Sequence, residues 1–322
     1  FVVGLPAPGA LPKVPILVLL RRIGIFHIAY IPHAPSLEHT IQSRLGPPHF
    51  LECLGKKLSS CVPEITFIRF DLNWDIRKCA GSELKQSHLK KSPVSIQPPD
   101  TVILPISAAR FSEDDLLGRM KSKTRYNIRL AARKGVIVRR TERRHYEVPP
   151  ELEAWYDLYK ITEKRNRISL HSFAYYAHLF SLMKDEECRL YLARHDNDLL
   201  AGIIVIRYRK QGYYLYGASS DSKRNFMPAY ALQWQAICDL RSEGVECYDF
   251  FGIPAQADVG HPMFGLHQFK TGFGGDIVHY PGTWDIPCKH ILYFLYTVME
   301  RARAAVNGLI KKRSVFNLSR GK

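Results

Sequence analysis

Tyr213-Tyr214-Leu215-Tyr216-Gly217-Ala218-Ser219 is an apolar run between Gly212 and the polar Ser220-Asp221-Ser222, and it reads as a strand. Residues 189–194 and 199–209 are similar runs upstream, split by His195-Asp196-Asn197-Asp198, so the three form an antiparallel meander. Downstream the period changes. Pro228 opens a helical stretch, Gly244 ends it, and residues 246–252 return to strand composition. A strand, a crossover helix and a second strand predict a parallel pair at the end of the meander. The chain is thereby placed in the α/β (α+β) class.

Toward the N-terminus, residues 1–12 read as an irregular lead-in, and 14–20 and 24–31 as a hairpin turning at Arg21-Arg22. Residues 40–58 follow a helical pattern, and 65–71 read as a buried strand ending in Asp71, a carboxylate that is either a turn cap or a ligand-facing group. Residues 73–99 are polar and read as a loop, and 101–105 as a short strand. Ser112, followed by Glu113, Asp114 and Asp115, marks the start of one helix that Gly135 stops, because a hydroxyl cap and first-turn acids suit the positive end of the dipole. Lys121, Arg125, Arg129 and Arg133 recur every four residues within it and share a face. Residues 151–165 and 172–183 are two more helices, and 291–312 a long one with a basic end.

One further stretch bears on chemistry. In Phe264-Gly265-Leu266-His267-Gln268-Phe269-Lys270-Thr271-Gly272-Phe273-Gly274-Gly275 a single lysine lies between an apolar run and a glycine-rich turn. Local chemistry alone favours a strand ending in a glycine turn, with Lys270 solvated. The functional alternative places its ammonium beside a developing negative charge.

Composition narrows the class. The formal net charge is +16 over 322 residues, and it is concentrated. Residues 119–144 hold eleven Lys/Arg against Glu142, and residues 289–322 hold eight against Glu300, a distribution that suits a polyanionic partner. Seven cysteines without a Cys-x-x-Cys pair point to reduced thiols and to no zinc site. The longest aliphatic run, residues 14–20, is too short to span a bilayer.

The order of meander, helix and strand is that of an acetyltransferase-like (GNAT) core. Such enzymes hold the acyl-CoA pyrophosphate on a glycine-rich loop at the start of the central helix, yet residues 220–228 here contain no glycine. Four stretches together resemble the FemABX family of aminoacyl-tRNA-dependent peptidyltransferases. They are Lys121-Ser122-Lys123-Thr124-Arg125-Tyr126-Asn127-Ile128-Arg129, Tyr214 to Ser220, Tyr248-Asp249-Phe250-Phe251-Gly252-Ile253-Pro254, and Phe269 to Gly275, and the likeness runs over about residues 30–285. A rival match, Lys270-Thr271-Gly272 with Ser82-x-x-Lys85 or Ser87-x-x-Lys90, resembles penicillin-binding enzymes; its serines lie in a polar loop and no Ser-Asp-Asn follows, which rejects it.

The resemblance implies two GNAT-like domains with a cleft between them, residues 1–147 with 284–322 and residues 148–283, the C-terminal helix returning to the first. It implies transfer of an amino acid from aminoacyl-tRNA to an amine of a peptidoglycan precursor, UDP-MurNAc-pentapeptide or lipid II, by a cytoplasmic monomer without cofactor or metal and with peripheral contact to the inner membrane face. Lys270 would stabilise the charge developing on the attacked ester. Asp71, Arg69, Tyr30, Tyr175, His171, Tyr216 and Phe269 would contact substrate, and Lys121, Arg125, Arg129 and Arg133 the tRNA phosphates. Departures from the family pattern are the absent N-terminal lead-in with its lysine, which predicts a truncated start, and His171 where relatives carry an arginine four residues before Tyr175. No charged helical hairpin is evident, which favours the shorter, precursor-modifying branch.

Overall fold

The computed structural model describes residues 2–3, 16–33, 35–37, 40, 46–77, 84–85, 87–166, 168–254 and 263–319, with side chains from 16 to 306. Expectations for residues 4–15, Cys79, Ser82 and 261–262 fall outside these. In chain order the elements are β1 (Val2–Val3), β2 (Ile16–Leu17), β3 (Leu19–Ile23), β4 (Phe26–Ile31), α1 (Pro47–Cys61), β5 (Phe67–Leu72), β6 (Lys90–Lys91) and β7 (Asp100–Pro105). Then come α2 (Glu113–Arg119), α3 (Ser122–Arg133), β8 (Ile137–Arg140), α4 (Leu152–Asn166), α5 (Phe173–Leu182), β9 (Cys188–His195), β10 (Asp198–Tyr208) and β11 (Gln211–Ser219). The last are α6 (Pro228–Ser242), β12 (Cys247–Gly252), α7 (Phe264–Thr271), β13 (Asp276–His279), β14 (Gly282–Pro287) and α8 (His290–Ser319).

The chain packs as two units, residues 1–99 with 278–322, and residues 100–277. The C-terminal helix belongs with the first unit. The boundary differs from the expected 147/148, because β7 pairs with β12 (Tyr248↔Leu104, Asp249↔Ile103) and draws α2, α3 and β8 into the second unit. In that unit the sheet order is β13-β7-β12-β11-β10-β9-β8. β11 and β12 are parallel, Gly212 opposite Tyr248, with α6 as the crossover the sequence predicts. Leu232, Ala236, Ile237 and Leu240 of α6 bury against Val102, Ile203, Val205 and Phe250, and Leu116, Met120 and Ile128 join the same core. Large aliphatic and aromatic side chains removed from water here supply the main folding force.

The first unit repeats the device. β4 and β5 are parallel within the order β3-β4-β5-β14-β6, and α1 crosses between them with Leu51, Leu54 and Leu58 buried against Ile31, Ile68 and Phe70. Prolines at its first positions, with Gly46 at φ 77°, begin α1 at Pro47; Thr40 is helical too, and residues 41–45 of the expected helix lie outside the described residues.

Three local expectations change. The hairpin turns at Gly24-Ile25, since β3 runs through Arg21-Arg22 to pair Ile23 with Phe26. The helix from Ser112 to Gly135 is two helices. Ser112 does cap α2, its hydroxyl accepting from Asp115 N at 3.0 Å while Asp115 accepts from Ser112 N at 2.8 Å, and Gly135 at φ 74° does end α3. Between them Met120 and Lys121 are extended, and Lys121 N donates to Gly272 O at 2.9 Å. Lastly, Phe264–Thr271 is a helix, not a strand.

Candidate active site

Lys270 lies in the last turn of α7, where the negative end of the helix dipole favours a cation. It is 6% exposed. Its Nζ donates to Gly252 O at 2.8 Å and to Phe251 O at 3.2 Å, and sits 5.5 Å from the centroid of the Tyr214 ring. The solvated alternative is therefore incorrect: packing of Phe269 on Tyr230 (4.9 Å between ring centroids) and on Phe273 (5.4 Å) holds α7 against the core and takes Lys270 inward. Burial lowers the ammonium pKa to about 8, and the charge of Asp249 works in the opposite sense. Among the described residues no carboxylate pairs with it directly.

The two carbonyls are themselves fixed. Asp249 Oδ1 accepts from Phe251 N at 2.8 Å and from the Thr101 hydroxyl, forming a side-chain turn that holds Phe251 at φ 60°. A phenylalanine in this left-handed region stores strain of about 1–3 kcal/mol, and that turn aims successive carbonyls at one ammonium.

The loop after Lys270 touches the start of the basic helix. Lys121 Nζ reaches Thr271 Oγ1 at 3.4 Å, and a Cβ at Gly274 (φ 83°) would lie 2.5 Å from Arg119 O, so only glycine fits that approach. Partial burial, and after it the Lys121 charge, lower the His267 pKa. Of the four basic residues, Lys121, Arg129 and Arg133 are exposed. Arg125 is different: its Nη1 donates to Met120 O, to Leu117 O at 3.3 Å and to Gly118 O at 3.4 Å, closing the end of α2. Arg143 is likewise consumed by main-chain carbonyls, among them Lys184 O at 2.9 Å and Cys188 O at 3.1 Å, and Arg140 by Asp185. Part of the basic block thus holds the unit together.

His171, Tyr175 and Tyr216 come together. The His171 and Tyr175 rings stack at 4.1 Å, and the Tyr175 and Tyr216 hydroxyls are 3.1 Å apart. Tyr176 lies edge-on to Tyr216 at 5.1 Å. Burial and then the Tyr175 hydroxyl raise the Tyr216 pKa, so it stays a neutral phenol. β11 bulges at Leu215, since Ile204 faces Tyr216 and Val205 faces Tyr214. The bulge sends Tyr214 to the core beside Lys270 and Tyr216 to the aromatic cluster. Phe269 stands apart from that cluster and serves packing.

In the first unit, Asp71 and Tyr30 meet. Asp71 is 3% exposed; its Oδ2 accepts from the Tyr30 hydroxyl at 2.5 Å and its Oδ1 from the Thr283 hydroxyl. Burial, followed by the bond to Asp71, raises the Tyr30 pKa. Arg69 is fully engaged elsewhere. Its Nε and Nη2 donate to Asp285 at 2.8 Å each, and Nη1 and Nη2 to Glu300 at 2.7 and 2.9 Å. It clamps α8 to the sheet and leaves little for a ligand. The sequence reading overlooked Asp249, Thr101, Tyr214 and Thr283. Only Asp249 carried a signal, an aspartate two residues before a backbone N–H at a strand end.

The model of the FemAB family matches residues 90–198 and 193–301. The chain is 24% identical to the lipid II:glycine glycyltransferase of Staphylococcus aureus (strain USA300), an alignment covering 68% of this chain and 66% of the relative. It therefore spans a little less than two thirds of that relative's length. A crystal structure of FemX superposes over 91% of this chain and 89% of its own, with a TM-score of 0.76 at 20% identity. L-PGS from Bacillus licheniformis shares the fold more loosely, with a TM-score of 0.52 at 11% identity over 89% of this chain and 85% of that one.

Proposed function

Because the chain belongs to the FemAB family, we propose that it is an aminoacyltransferase moving an amino acid from aminoacyl-tRNA onto an amine of a peptidoglycan precursor peptide, carried on lipid II or as UDP-MurNAc-pentapeptide. The relative's name makes glycine the first amino acid to test. The observation that carries the reading is the Lys270 ammonium, buried, held by two carbonyls and, among the described residues, without a direct carboxylate contact.

In this reaction the acceptor amine attacks the ester carbonyl, and a C–N bond forms as the carbonyl oxygen takes the negative charge. The C–O bond to the tRNA ribose then breaks, the amine loses a proton and the ribose hydroxyl gains one. Lys270 donates to the oxyanion, an interaction worth more in a dry site than in water. The ester is already activated, so alignment of the two substrates supplies much of the rest. Lys121, Arg129 and Arg133 are assigned to tRNA phosphates, Asp71 and Tyr30 to the precursor peptide, and the His171–Tyr175–Tyr216 group to a stacking contact with substrate.

The test offers the purified protein charged tRNA pools or acetyl-CoA, each with the precursor. Transfer is expected from charged tRNA alone and is abolished by RNase. Transfer from acetyl-CoA that survives RNase would overturn the reading.

A further inference from the structure

Helix α8 buries one face and leaves the opposite one apolar. Tyr296 packs on Phe26 and Phe67, with ring centroids 5.3 and 4.9 Å away. On the far side Ile291, Phe294, Leu295, Val298 and Met299 remain 78%, 64%, 48%, 48% and 44% exposed. Their spacing of three and four residues makes one continuous stripe, where a helix facing water would carry polar side chains. The edge strand β3 extends it on the side that α8 covers: Leu19, opposite Tyr30, is 46% exposed, and Ile25 in the following turn is 67% exposed. Ile23 of β3 and Phe26 pack with Tyr293 and Tyr296, so β3 and α8 border one another.

The charge along the stripe is mostly positive. Arg21, Lys289, Arg301 and Arg303 are exposed. Within residues 16–31 and 289–306 the sole acid is Glu300, which is turned inward onto Arg69. A second copy pairing on this face would set cations against cations, which is unfavourable, and a predominantly cationic rim about an apolar stripe, in which the exposed Glu64 beside Lys289 is outnumbered, matches negatively charged lipid headgroups.

We propose that this face, the exposed stripe of α8 with β3, docks the protein on an anionic lipid bilayer, with α8 lying in the headgroup plane. Apolar side chains then enter the acyl boundary and the arginines meet phosphates, the arrangement of an interfacial amphipathic helix. No helix among the described residues is long and apolar enough to cross a membrane, so docking is peripheral. Strand alternation places Tyr30, Arg69 and Asp71 on the side of the sheet that α8 covers, as the Arg69–Glu300 pair requires. The docked face therefore brings the assigned peptide-side residues to the membrane that holds a lipid-linked acceptor, a step that rests on the proposed function.

Vesicle sedimentation tests the docking without tRNA or acceptor, so docking and aminoacyl transfer can fail separately. The full chain is mixed with vesicles of phosphatidylglycerol and phosphatidylcholine, or of phosphatidylcholine alone. Binding to the anionic vesicles is expected, weakening with salt, and poor binding to the neutral ones. Arg301→Gln with Arg303→Gln should lower partitioning about fivefold per charge, and Phe294→Asn with Leu295→Asn at least about tenfold, both with unchanged circular dichroism. Absence of wild-type binding to anionic vesicles would overturn the proposal, as would equal binding by the variants. Self-association in sedimentation equilibrium that Phe294→Asn abolishes would assign the face to a second copy and overturn it as well.

Discussion

Arg69 and Lys270 are buried cations, one in each unit, 2% and 6% exposed. Two carboxylates hold Arg69 through four hydrogen bonds of 2.7–2.9 Å, with Phe67 and Tyr296 beneath it. Lys270 has two main-chain carbonyls, a tyrosine face, and a carboxylate that acts only at a distance. The fold neutralises the first charge and leaves the second free to answer a new negative charge. Burial alone therefore does not mark a site; burial with incomplete compensation does.

The sharpest way to break this comparison is Arg69→Ala. It strands Asp285 and Glu300 and releases α8, and removing one partner of such a cluster costs about 3–5 kcal/mol. Urea denaturation should record that loss. A cost below about 1 kcal/mol would mean the cluster is not a clamp.

Lys270→Ala should do the converse. Turnover is expected to fall roughly 10²–10³-fold with little change in tRNA affinity, as for loss of one oxyanion donor. The volume-matched Lys270→Met should change stability by no more than about 1 kcal/mol, because relief of a buried charge offsets the loss of a partner for two carbonyls. A destabilisation like that of Arg69→Ala would make Lys270 structural.

The difference between the two cations was only half legible in the sequence. The crossover in the second unit is legible, because the apolar run near Phe250 follows a helix punctuated by Pro228 and Gly244, whereas the parallel pairing of β4 with β5 is not. The Arg69–Glu300 contact spans 231 positions, and no local pattern announces it. The break at Met120-Lys121 carries no Gly or Pro; the Lys121–Gly272 bond from a distant loop imposes it. Phe264–Thr271 has weak helical propensity, and contact of Phe269 with Tyr230 decides its form. Among the site residues, the structure groups His171 with Tyr175 and Tyr216, and Asp71 with Tyr30, whereas Arg69, Arg125 and Phe269 are engaged by packing and hydrogen-bond partners that no local pattern announces.

Acidity offers a finer comparison. Arg69 stays charged at any working pH, but the Lys270 pKa is depressed to about 8, so the oxyanion donor is lost as pH rises through that value. Turnover should fall above it. Stability runs the other way: the unfolded chain binds the extra proton between about 8 and the ordinary lysine value, so Lys270 opposes folding below that window and ceases to as pH climbs through it. Asp249→Asn keeps an acceptor for Phe251 N but removes the charge that raises the Lys270 pKa. The high-pH limb of the kcat profile should therefore move to lower pH. An unmoved limb would deny Asp249 any part in holding the ammonium charged.

The smallest effects separate cations within one helix. Lys121, Arg129 and Arg133 are exposed on α3, whereas Arg125 closes the end of α2 on three carbonyls. Each exposed residue that meets a tRNA phosphate displaces counterions, so Lys121→Gln, Arg129→Gln and Arg133→Gln should each lower the slope of log affinity against log salt by about one unit or slightly less. Arg125→Gln should leave the slope alone and instead cost about 1 kcal/mol of stability, the usual worth of lost hydrogen bonds at a helix end. Filter binding over a salt series, beside a thermal melt, reads both quantities. A slope that changes equally for all four would mean that Arg125 leaves its carbonyls to bind RNA, and the division between paired and free cations would not extend to this helix.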